Sequence, residues 1–386
     1  TFNEDDICSG CEIHLEKTRL DWDARLEYLK SLTQSYRSPG QKSYDCIVPV
    51  SGGRDSFFIV HTVTKVLGMK PLLVSYNKHY NTPEGIHNLN QLKTVFDCDH
   101  IQMNVNPQSV QAITRHTLDR LGSIYWHCIA GETVYPVQTA VRFKVPLIIW
   151  GAHQGLDQTG MYSHLNEVEM SRKYRKDHDL MGVEAEDLLK EDNCLSDEQL
   201  TSFLYPHNRE IESVGVRGIY LGNFIPWDTK TQHELMQDQY DYSTRALQKT
   251  FDCYNDVDSH LYSGIHDWIK YLKHGYGKAT DHACREIRWE RISRKQGEEL
   301  IALYQSIIPR RKEIKTFTEW LGMEELDFID AIQKHSRFGM PGDIPENENL
   351  VGNSTQTILP FRSKPYAGEY AGKEDYLLIG KCYHGV

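Results

Sequence analysis

The segment that decides the fold is a short run in which a strand breaks at two glycines and continues as a helix: Val48-Pro49-Val50-Ser51-Gly52-Gly53-Arg54-Asp55-Ser56. Residues 45–50 form an apolar run typical of a buried strand, and the apolar residues 57–67 favour a helix. Glycines let the backbone turn tightly and approach a phosphate, and the N–H groups at a helix start attract an anion. The run therefore predicts a phosphate site at the carboxyl end of a strand.

The side chains of this run strengthen the predicted anion site. Ser51 and Ser56 offer hydroxyl donors, and Arg54 offers positive charge. Asp55 would hold Mg²⁺ or orient the loop. The spacing differs from the GxxxxGK[ST] pattern of a Walker A loop and from the GxGxxG pattern of dinucleotide-binding loops.

Strand and helix signals alternate around this loop. The expected strands are 45–50, 70–76, 100–105, 146–150 and 218–224, and the expected helices are 56–67, 82–96, 107–121 and 132–143. Repeated βαβ units predict an α/β fold, a doubly wound parallel sheet whose ligands lie at the carboxyl ends of the strands. Residues at that edge are expected to bind a phosphate-bearing cofactor: Ser51, Gly52, Gly53, Ser56, Tyr76 and Gly151.

Pattern and composition divide the 386 residues into four expected parts. These are a CxxC segment with a helix (1–40), the nucleotide-binding domain (41–230), a mainly helical region (231–340), and an extended or partly disordered tail (341–386).

The composition limits the partners of this chain. A net charge of −11, from 43 basic and 54 acidic residues, disfavours a broad nucleic-acid-binding face. No apolar run is long enough to span a membrane, so no membrane partner is expected. Nine scattered cysteines in a chain of this size do not indicate a secreted disulfide framework, which favours a cytoplasmic protein.

Cys8-Ser9-Gly10-Cys11 is a CxxC pair, half of the spacing of a zinc ribbon. Cys8 and Cys11 are therefore candidate ligands of a structural Zn²⁺. Because the chain begins with Thr1 and not Met, the missing ligands are expected as cysteines upstream of residue 1. His14 or Cys128 would be an alternative source. The other interpretation is a pair of free surface thiols.

Five further polar residues are candidates for substrate binding. His153 follows the fourth expected strand and either faces substrate or is an ordinary loop histidine. Arg172 and Arg175 belong to a basic cluster that would grip phosphates or form a solvated helix face. Lys278 and Arg285 follow two glycines that interrupt a helical region, which favours a role in a site.

Several segments together resemble the N-acetyl sugar amidotransferases, over about residues 1–335. They are 44–56, 71–76, Trp126-His127-Cys128 with Ala130-Gly131, 146–151, and 274–281 with 285–288. The loop 51–56 is similar to the SGGxDS pyrophosphate loop of the ATP-pyrophosphatase (PP-loop) superfamily. The chain departs from the family at two places: Arg54 replaces a frequent lysine, and Ala152-His153 replaces a frequent acidic residue after the Trp-Gly pair.

The resemblance implies an enzyme that makes acetamidino groups on nucleotide-activated sugars of the bacterial surface, in O-antigen (lipopolysaccharide) or in pseudaminic- and legionaminic-type acids. It implies a PP-loop, HUP-like fold of the adenine-nucleotide alpha hydrolase type over 41–230. It also implies ATP, Mg²⁺ and structural Zn²⁺ as cofactors, and catalytic roles for Arg54, Asp55 and Ser56. Because the chain lacks the GxCxG elbow of HisH-type glutaminases, a separate HisH-like glutaminase would supply ammonia.

Two other functions remain open at this stage. A PP-loop enzyme that thiolates tRNA would use the same ATP chemistry, with Cys128 as the sulfur carrier. From sequence, Tyr125-Trp126-His127-Cys128 is expected in a loop before a helix, where Cys128 is a reactive thiol, a zinc ligand, a pocket residue or a buried core cysteine. The second alternative is a non-enzymatic zinc-ribbon scaffold that binds nucleotide.

Overall fold

The computed structural model describes residues 2–191, 194–240, 242–338 and 362–368, and the backbone of 378–379 and 383–384. Its centre is a five-stranded sheet in which every neighbouring pair of strands is parallel. The strands are β1 (Cys46–Pro49), β2 (Pro71–Tyr76), β3 (His100–Met103), β4 (Leu147–Trp150) and β5 (Arg217–Tyr220), in the order β3-β2-β1-β4-β5. Two short strands, β6 (Leu378–Ile379) and β7 (Tyr383–His384), pair antiparallel.

The described α-helices run in chain order as follows: α1 (Ser9–Glu16), α2 (Trp22–Gln34), α3 (Arg54–His61), α4 (Pro83–Val95), α5 (Pro107–Leu121), α6 (Trp126–Phe143), α7 (Gln154–Asp157), α8 (Arg172–Tyr174), α9 (Ala185–Leu188), α10 (Asp197–Leu200), α11 (Asn208–Val214), α12 (Thr229–Tyr240), α13 (Asp267–His274), α14 (Lys278–Arg288), α15 (Arg294–Tyr304), α16 (Arg311–Leu321) and α17 (Glu325–His335). Short 3-10 turns cover Pro39–Gln41, His164–Asn166, Thr201–Phe203 and Leu221–Asn223. Single π-turns cover Thr62–Val66, Arg175–Asp179 and Tyr262–His266.

Both faces of the sheet are covered, because successive strand residues point to opposite sides. In β1, Val48 packs in a core with Phe57 of α3. Ile47 packs on the other face, in a core with Val137 of α6. The three central strands, β1, β2 and β4, are buried on both faces and are almost continuously apolar, as the sequence indicates. The predicted α/β fold with a doubly wound parallel sheet is confirmed.

The expected elements lie close to the observed ones, with one clear error at α6. The helix was expected to begin at residue 132 but begins at Trp126. Its N-cap, Tyr125, makes no side-chain capping bond, so the usual polar start signal is missing from the sequence. The prediction that Trp126-His127-Cys128 lies in a loop is therefore wrong: these residues form the buried first turn of α6.

The remaining segments are tied to the sheet domain by named contacts. Leu29 of α2 joins the core on the α3 face, and Lys17 Nζ lies 2.7 Å from the carboxylate of Asp157. The predicted domain limits stay a prediction. Most of the predicted tail (341–386) lies outside the described residues. Among those described, no helix combines the length and the apolar character that a membrane crossing requires.

Candidate active site

The glycine loop lies where β1 passes into α3. The Ser51 N–H donates to Ser56 Oγ at 2.8 Å, and the Gly53 N–H donates to Ser51 Oγ at 3.2 Å. Gly53 is the N-cap of α3 and offers no side-chain cap. The two serines therefore fix the shape of the loop, and the start of α3 faces the carboxyl edge of the sheet, where a parallel sheet binds its ligands.

Residues 257–260 pack across this loop. A Cβ on Gly85 of α4 would lie 2.4 Å from the Cα of Asp258, so the two backbones touch. The His260 N–H also donates to the Tyr80 carbonyl oxygen at 2.6 Å. In contrast, a Cβ on Gly53 would meet only Ser51 Oγ at 3.4 Å and Asp258 Oδ1 at 3.6 Å. Asp258 therefore places its carboxylate directly in front of the loop.

A lysine that the sequence analysis did not identify lies beside this carboxylate. Lys78 Nζ lies 2.8 Å from Asp258 Oδ2 and 2.9 Å from Glu132 Oε1, and 12% of the side chain is exposed. Burial works to lower the pKa of Lys78, but the carboxylates of Asp258 and Glu132 outweigh it and raise that pKa well above its usual value. Lys78 lies just after β2, at the edge of the sheet where ligands are expected, and this position is the signal by which the sequence could have identified it.

These groups line one cavity of about 180 Å³ between β1, β2 and α4. Its wall includes Ser51, Gly52, Tyr76, Lys78 and Asp258. The cavity has the glycine loop at one end and both apolar and polar walls beyond it, a mixed lining typical of ligand sites.

A second cation approaches from α14. Lys278, the first residue of that helix, places Nζ 2.5 Å from Asp256 Oδ2 and 3.8 Å from the centre of the Tyr262 ring. Half of the Asp55 side chain is exposed, yet enclosure by the surrounding protein raises its pKa; the Asp256 carboxylate adds to the rise and the Arg54 guanidinium opposes it. Asp55 and Lys278 therefore face a shared, charge-rich cleft.

Arg285, about two turns after Lys278 on α14, lies in the same region. Its guanidinium bonds the carboxylates of Asp252 and Glu286, each at 2.8 Å. Although burial of Asp252 opposes ionisation, His282 and Arg285 hold the pKa of that carboxyl well below its usual range. Enclosure raises the pKa of Asp55, and the Arg285 guanidinium offsets part of that rise. Of the predicted substrate-binding residues, the structure brings Lys278 and Arg285 together near Asp55.

Arg54 points into the protein and not along the loop. Its guanidinium donates to Gln232 Oε1 at 3.1 Å and to Asn255 Oδ1 at 3.0 Å, and lies 2.6 Å from Asp55 Oδ1. It also sits 5.5 Å from the centre of the Tyr254 ring and is 2% exposed. These contacts join α3 to α12 and to residues 254–255, so the structure gives this charge a packing role.

Two residues predicted to contact the cofactor, Tyr76 at the end of β2 and Gly151 just after β4, pack against other parts of the protein. Tyr76 Oη lies 3.0 Å from Nδ1 of His127 within the core, although the residue also lines the cavity. A Cβ on Gly151 would lie 2.8 Å from Ile59 Cδ1 and 2.9 Å from the Trp227 ring. The absence of a side chain at Gly151 thus serves close packing.

His153 is buried as well. Its Nδ1 accepts the Gly155 N–H at 3.0 Å, and its ring packs among Tyr162, Tyr174 and Tyr220. Burial lowers the pKa of His153 to about 4, so the ring is neutral at pH 7.

Arg172 and Arg175 neutralise acidic side chains of their own segment. Arg175 Nη1 lies 2.8 Å from Glu184 Oε1, with both side chains 5% exposed. Arg172 pairs with Glu184 and Glu186 at 3.0 and 2.8 Å. Arg175 also donates to Thr133 Oγ1 of α6 at 2.7 Å. Their predicted contact with phosphate stays a prediction, and none of these contacts joins them to the glycine loop.

Cys8 and Cys11 lie side by side at the start of α1, with their sulfur atoms 3.3 Å apart. A structural zinc site takes four ligands, and among the described residues no group of three or more His, Cys, Asp or Glu side chains is arranged to hold a metal ion. Cys8 and Cys11 are thus two of the four ligands that the predicted zinc site would need, and that site stays a prediction.

Cys128 is not placed as a sulfur carrier. It is fully buried, and burial raises the pKa of its thiol well above the usual value. A reactive cysteine needs access and an accessible thiolate. The structure therefore gives no support to the tRNA-thiolation alternative at this residue.

Comparison with known proteins bears on the C-terminal part of this site. Residues 248–340 match the family model described as "LPS biosynthesis protein WbpG-like, C-terminal domain". This match covers about a quarter of the chain and includes the segment that carries Asp256, Asp258, Lys278 and Arg285. That region is thus similar to the C-terminal domain of a lipopolysaccharide-biosynthesis protein.

Among solved structures, that of NMN synthetase from Francisella tularensis aligns with a TM-score of 0.29 and 11% identity, over 57% of this chain and 95% of that one. A search of curated proteins found no match.

Proposed function

We propose that this protein is an ATP-dependent, AMP-forming amidotransferase that converts the N-acetyl group of a nucleotide-activated sugar into an acetamidino group. The observation that carries the proposal is the meeting of two parts at one edge of the sheet. One part is the glycine loop Ser51–Gly53 with Asp55, and the other is the WbpG-like region with Lys278 and Arg285. An anion loop facing cations suits a polyphosphate, and the matched region supports a sugar substrate.

The proposed chemistry overcomes the low reactivity of an amide. The acetamido oxygen attacks the α-phosphorus of ATP, the bond to pyrophosphate breaks, and the amide nitrogen releases its proton, so that an O-adenylyl imidate forms. Ammonia then adds to the imidate carbon, one of its protons passes to the imidate nitrogen, and AMP leaves with the former amide oxygen, which gives the protonated amidine. The product is an amidine, so ATP, amide and ammonia give AMP, pyrophosphate and the acetamidino sugar. The protein contributes positioning and stabilisation of charge.

Each residue of the cleft has a proposed part in this reaction. The backbone of Gly52 and Gly53 and the start of α3 would hold pyrophosphate as it leaves, and Lys278 and Arg285 would balance its charge or that of the sugar nucleotide. The cavity beyond Tyr76 would hold the nucleoside. A separate glutaminase subunit would supply ammonia.

Asp55 fits Mg²⁺ in this arrangement. Its half-exposed carboxylate lies at the start of α3, and the nearby Asp256 carboxylate adds negative charge that a cation would relieve. Mg²⁺ in nucleotide sites takes one or two carboxylates together with phosphate oxygens. Asp55, with Asp256 nearby, would hold it, and bound there it would neutralise charge on the polyphosphate.

The decisive experiment follows the amide oxygen. The protein is incubated with Mg²⁺-ATP, ammonia and a panel of UDP- and CMP-linked acetamido sugars whose acetyl oxygen carries a heavy isotope. We expect AMP to appear with the label in its phosphate, and the sugar to exchange one oxygen for NH in the mass spectrum.

One control and two contrary outcomes separate the alternatives. An unlabelled hydroxyl analogue of each sugar, which lacks the acetamido group, should yield no AMP. AMP formation with bulk tRNA and no sugar would favour the thiolating alternative. No AMP with any sugar would favour a nucleotide-binding scaffold and overturn the proposal.

A further inference from the structure

We propose that Lys78 is the cation that receives the polyphosphate chain of ATP, and that Asp258 holds this position in the ligand-free protein. The inference rests on the proposed function and adds to it two residues that lie outside the resembling motifs.

The glycine loop lacks the cation that the sequence predicts for it. The guanidinium of Arg54 is committed to Gln232, Asn255 and Asp55 and is almost fully buried. A planar guanidinium held by several acceptors does not swing out easily, because each acceptor would be left unpaired in the interior. The positive charge in front of the loop must therefore come from another element.

Lys78 lies where that positive charge is needed. It follows β2, the neighbour of β1, and lines the same cavity as Ser51 and Gly52. A lysine ammonium is a compact charge with three donors on a flexible stem, so it can exchange one anionic partner for another. Glu132 can remain its second partner at 2.9 Å during such an exchange.

The Asp258 carboxylate already occupies the space in front of the glycine loop. The Asp258 carboxylate lies 2.8 Å from Lys78 Nζ, and one of its oxygens lies 3.6 Å from the Cβ position of Gly53. A hydrogen bond from Ser51 also lowers the pKa of this carboxyl. A carboxylate held by a lysine and a loop serine in front of the glycine loop has surroundings that a phosphate oxygen would also find.

The backbone around Asp258 is fixed, so only its side chain needs to move. The Thr82 hydroxyl donates to the Val257 carbonyl oxygen, and the His260 N–H donates to the Tyr80 carbonyl oxygen. Entry of a more highly charged polyphosphate, with its cation on Asp55, would displace the single carboxylate and take over Lys78.

The test measures binding of inorganic pyrophosphate, with and without Mg²⁺, to the full chain by calorimetry. The variants are Lys78→Met, Lys78→Arg and Asp258→Asn. The control variants, Lys176→Met and Asp187→Asn, break an ion pair of the same 2.8 Å length in the segment around α8 and α9.

We expect Lys78→Met to weaken binding at least about tenfold, the loss typical of one charged hydrogen bond, and Lys78→Arg to retain most of it. Asp258→Asn should tighten binding several-fold, because it removes the competing charge. The control variants should bind as the wild type does. Should Lys78→Met fail to fold, the sign of the Asp258→Asn effect still decides.

Unchanged binding in folded Lys78→Met, or weakened binding in Asp258→Asn, overturns this inference while the proposed function stands. A wild-type protein that binds neither pyrophosphate nor ATP overturns both.

Discussion

The backbone of Gly52 lies against that of Gly85: a Cβ on Gly52 would fall 2.1 Å from the Gly85 carbonyl oxygen and 2.6 Å from its Cα. Gly85 lies in the first turn of α4, so this contact joins the loop after β1 to the helix after β2. Asn88 of the same helix donates to the Gly52 carbonyl oxygen at 3.0 Å. The contact therefore fixes the distance between the glycine loop and the start of α4, which both line the candidate site.

This relationship predicts different outcomes for the two loop glycines. Gly52→Ala forces backbone atoms apart and should lower the free energy of unfolding by about 1–3 kcal/mol. Gly53 has a φ of −88° and only ordinary van der Waals contacts at its Cβ position, so Gly53→Ala should cost less stability. Pyrophosphate binding to Gly53→Ala should nevertheless weaken, because the methyl group points toward the proposed phosphate position.

Urea unfolding and calorimetric binding check this pair together. The packing account is wrong if Gly52→Ala is as stable as the wild type, or if Gly53→Ala is the less stable of the two.

A second prediction concerns Arg54. Arg54→Met leaves the acceptors of Gln232 and Asn255 without their donor and removes the contact with the Tyr254 ring. We expect a loss of about 2–4 kcal/mol in the free energy of unfolding, measured by urea denaturation. Arg54→Lys should recover only part of it, because a lysine keeps the charge but lacks the planar fork whose two terminal nitrogens reach Gln232 and Asn255 separately.

The same variants distinguish a packing role from a phosphate role. Arg54→Met that keeps wild-type stability but loses pyrophosphate binding would restore the role that the sequence suggested for this residue.

The sheet could be predicted from sequence because its signals are local. Strands buried on both faces are continuous apolar runs, and the observed β2 (Pro71–Tyr76) and α5 (Pro107–Leu121) lie within one residue of the expected bounds. Pro107 after Asn106 gives α5 a clear start. α6 lacks such a start, and its first turn was missed for that reason.

The candidate site could be predicted only where one motif carries it. The glycine loop has a local signature, but the pair Lys78 and Asp258 is separated by 180 residues, and no spacing rule connects them. The side-chain direction of Arg54 was equally hidden, because its acceptor Gln232 belongs to α12, 178 residues away. Sequence identified the charge, whereas tertiary packing decides where the charge points.

A third prediction compares Arg175 with Arg172. Arg175→Met leaves Glu184 in the interior without its closest buried partner and should cost about 3–5 kcal/mol of stability. Arg172 is 37% exposed, so Arg172→Met should cost about 1 kcal/mol or less. Thermal and urea unfolding of the two variants, with Lys176→Met as a surface control, measure the difference.

AMP formation provides the contrary outcome for this pair. If Arg175→Met keeps its stability and loses AMP formation with an acetamido sugar, the arginine contacts substrate as the sequence analysis suggested.

The fourth prediction is a pH dependence set by His153. Burial lowers the pKa of this ring to about 4, below the ~6.5 of an unfolded chain. As pH falls, the unfolded chain therefore takes up the proton first, and stability declines between pH 6.5 and pH 4. This one group accounts for up to about 3 kcal/mol of the loss, and the decline is absent above pH 6.5.

His153→Asn isolates that contribution, because asparagine can still accept the Gly155 N–H and cannot be protonated in this range. Urea unfolding at intervals from pH 7 to pH 4 should show a shallower decline for the variant. Other buried histidines, such as His79 and His233, titrate in the same direction and leave a residual slope in both proteins. Identical slopes for the two proteins would mean that His153 is hydrated, and a raised KM for the sugar nucleotide in the variant would then return it to the substrate site.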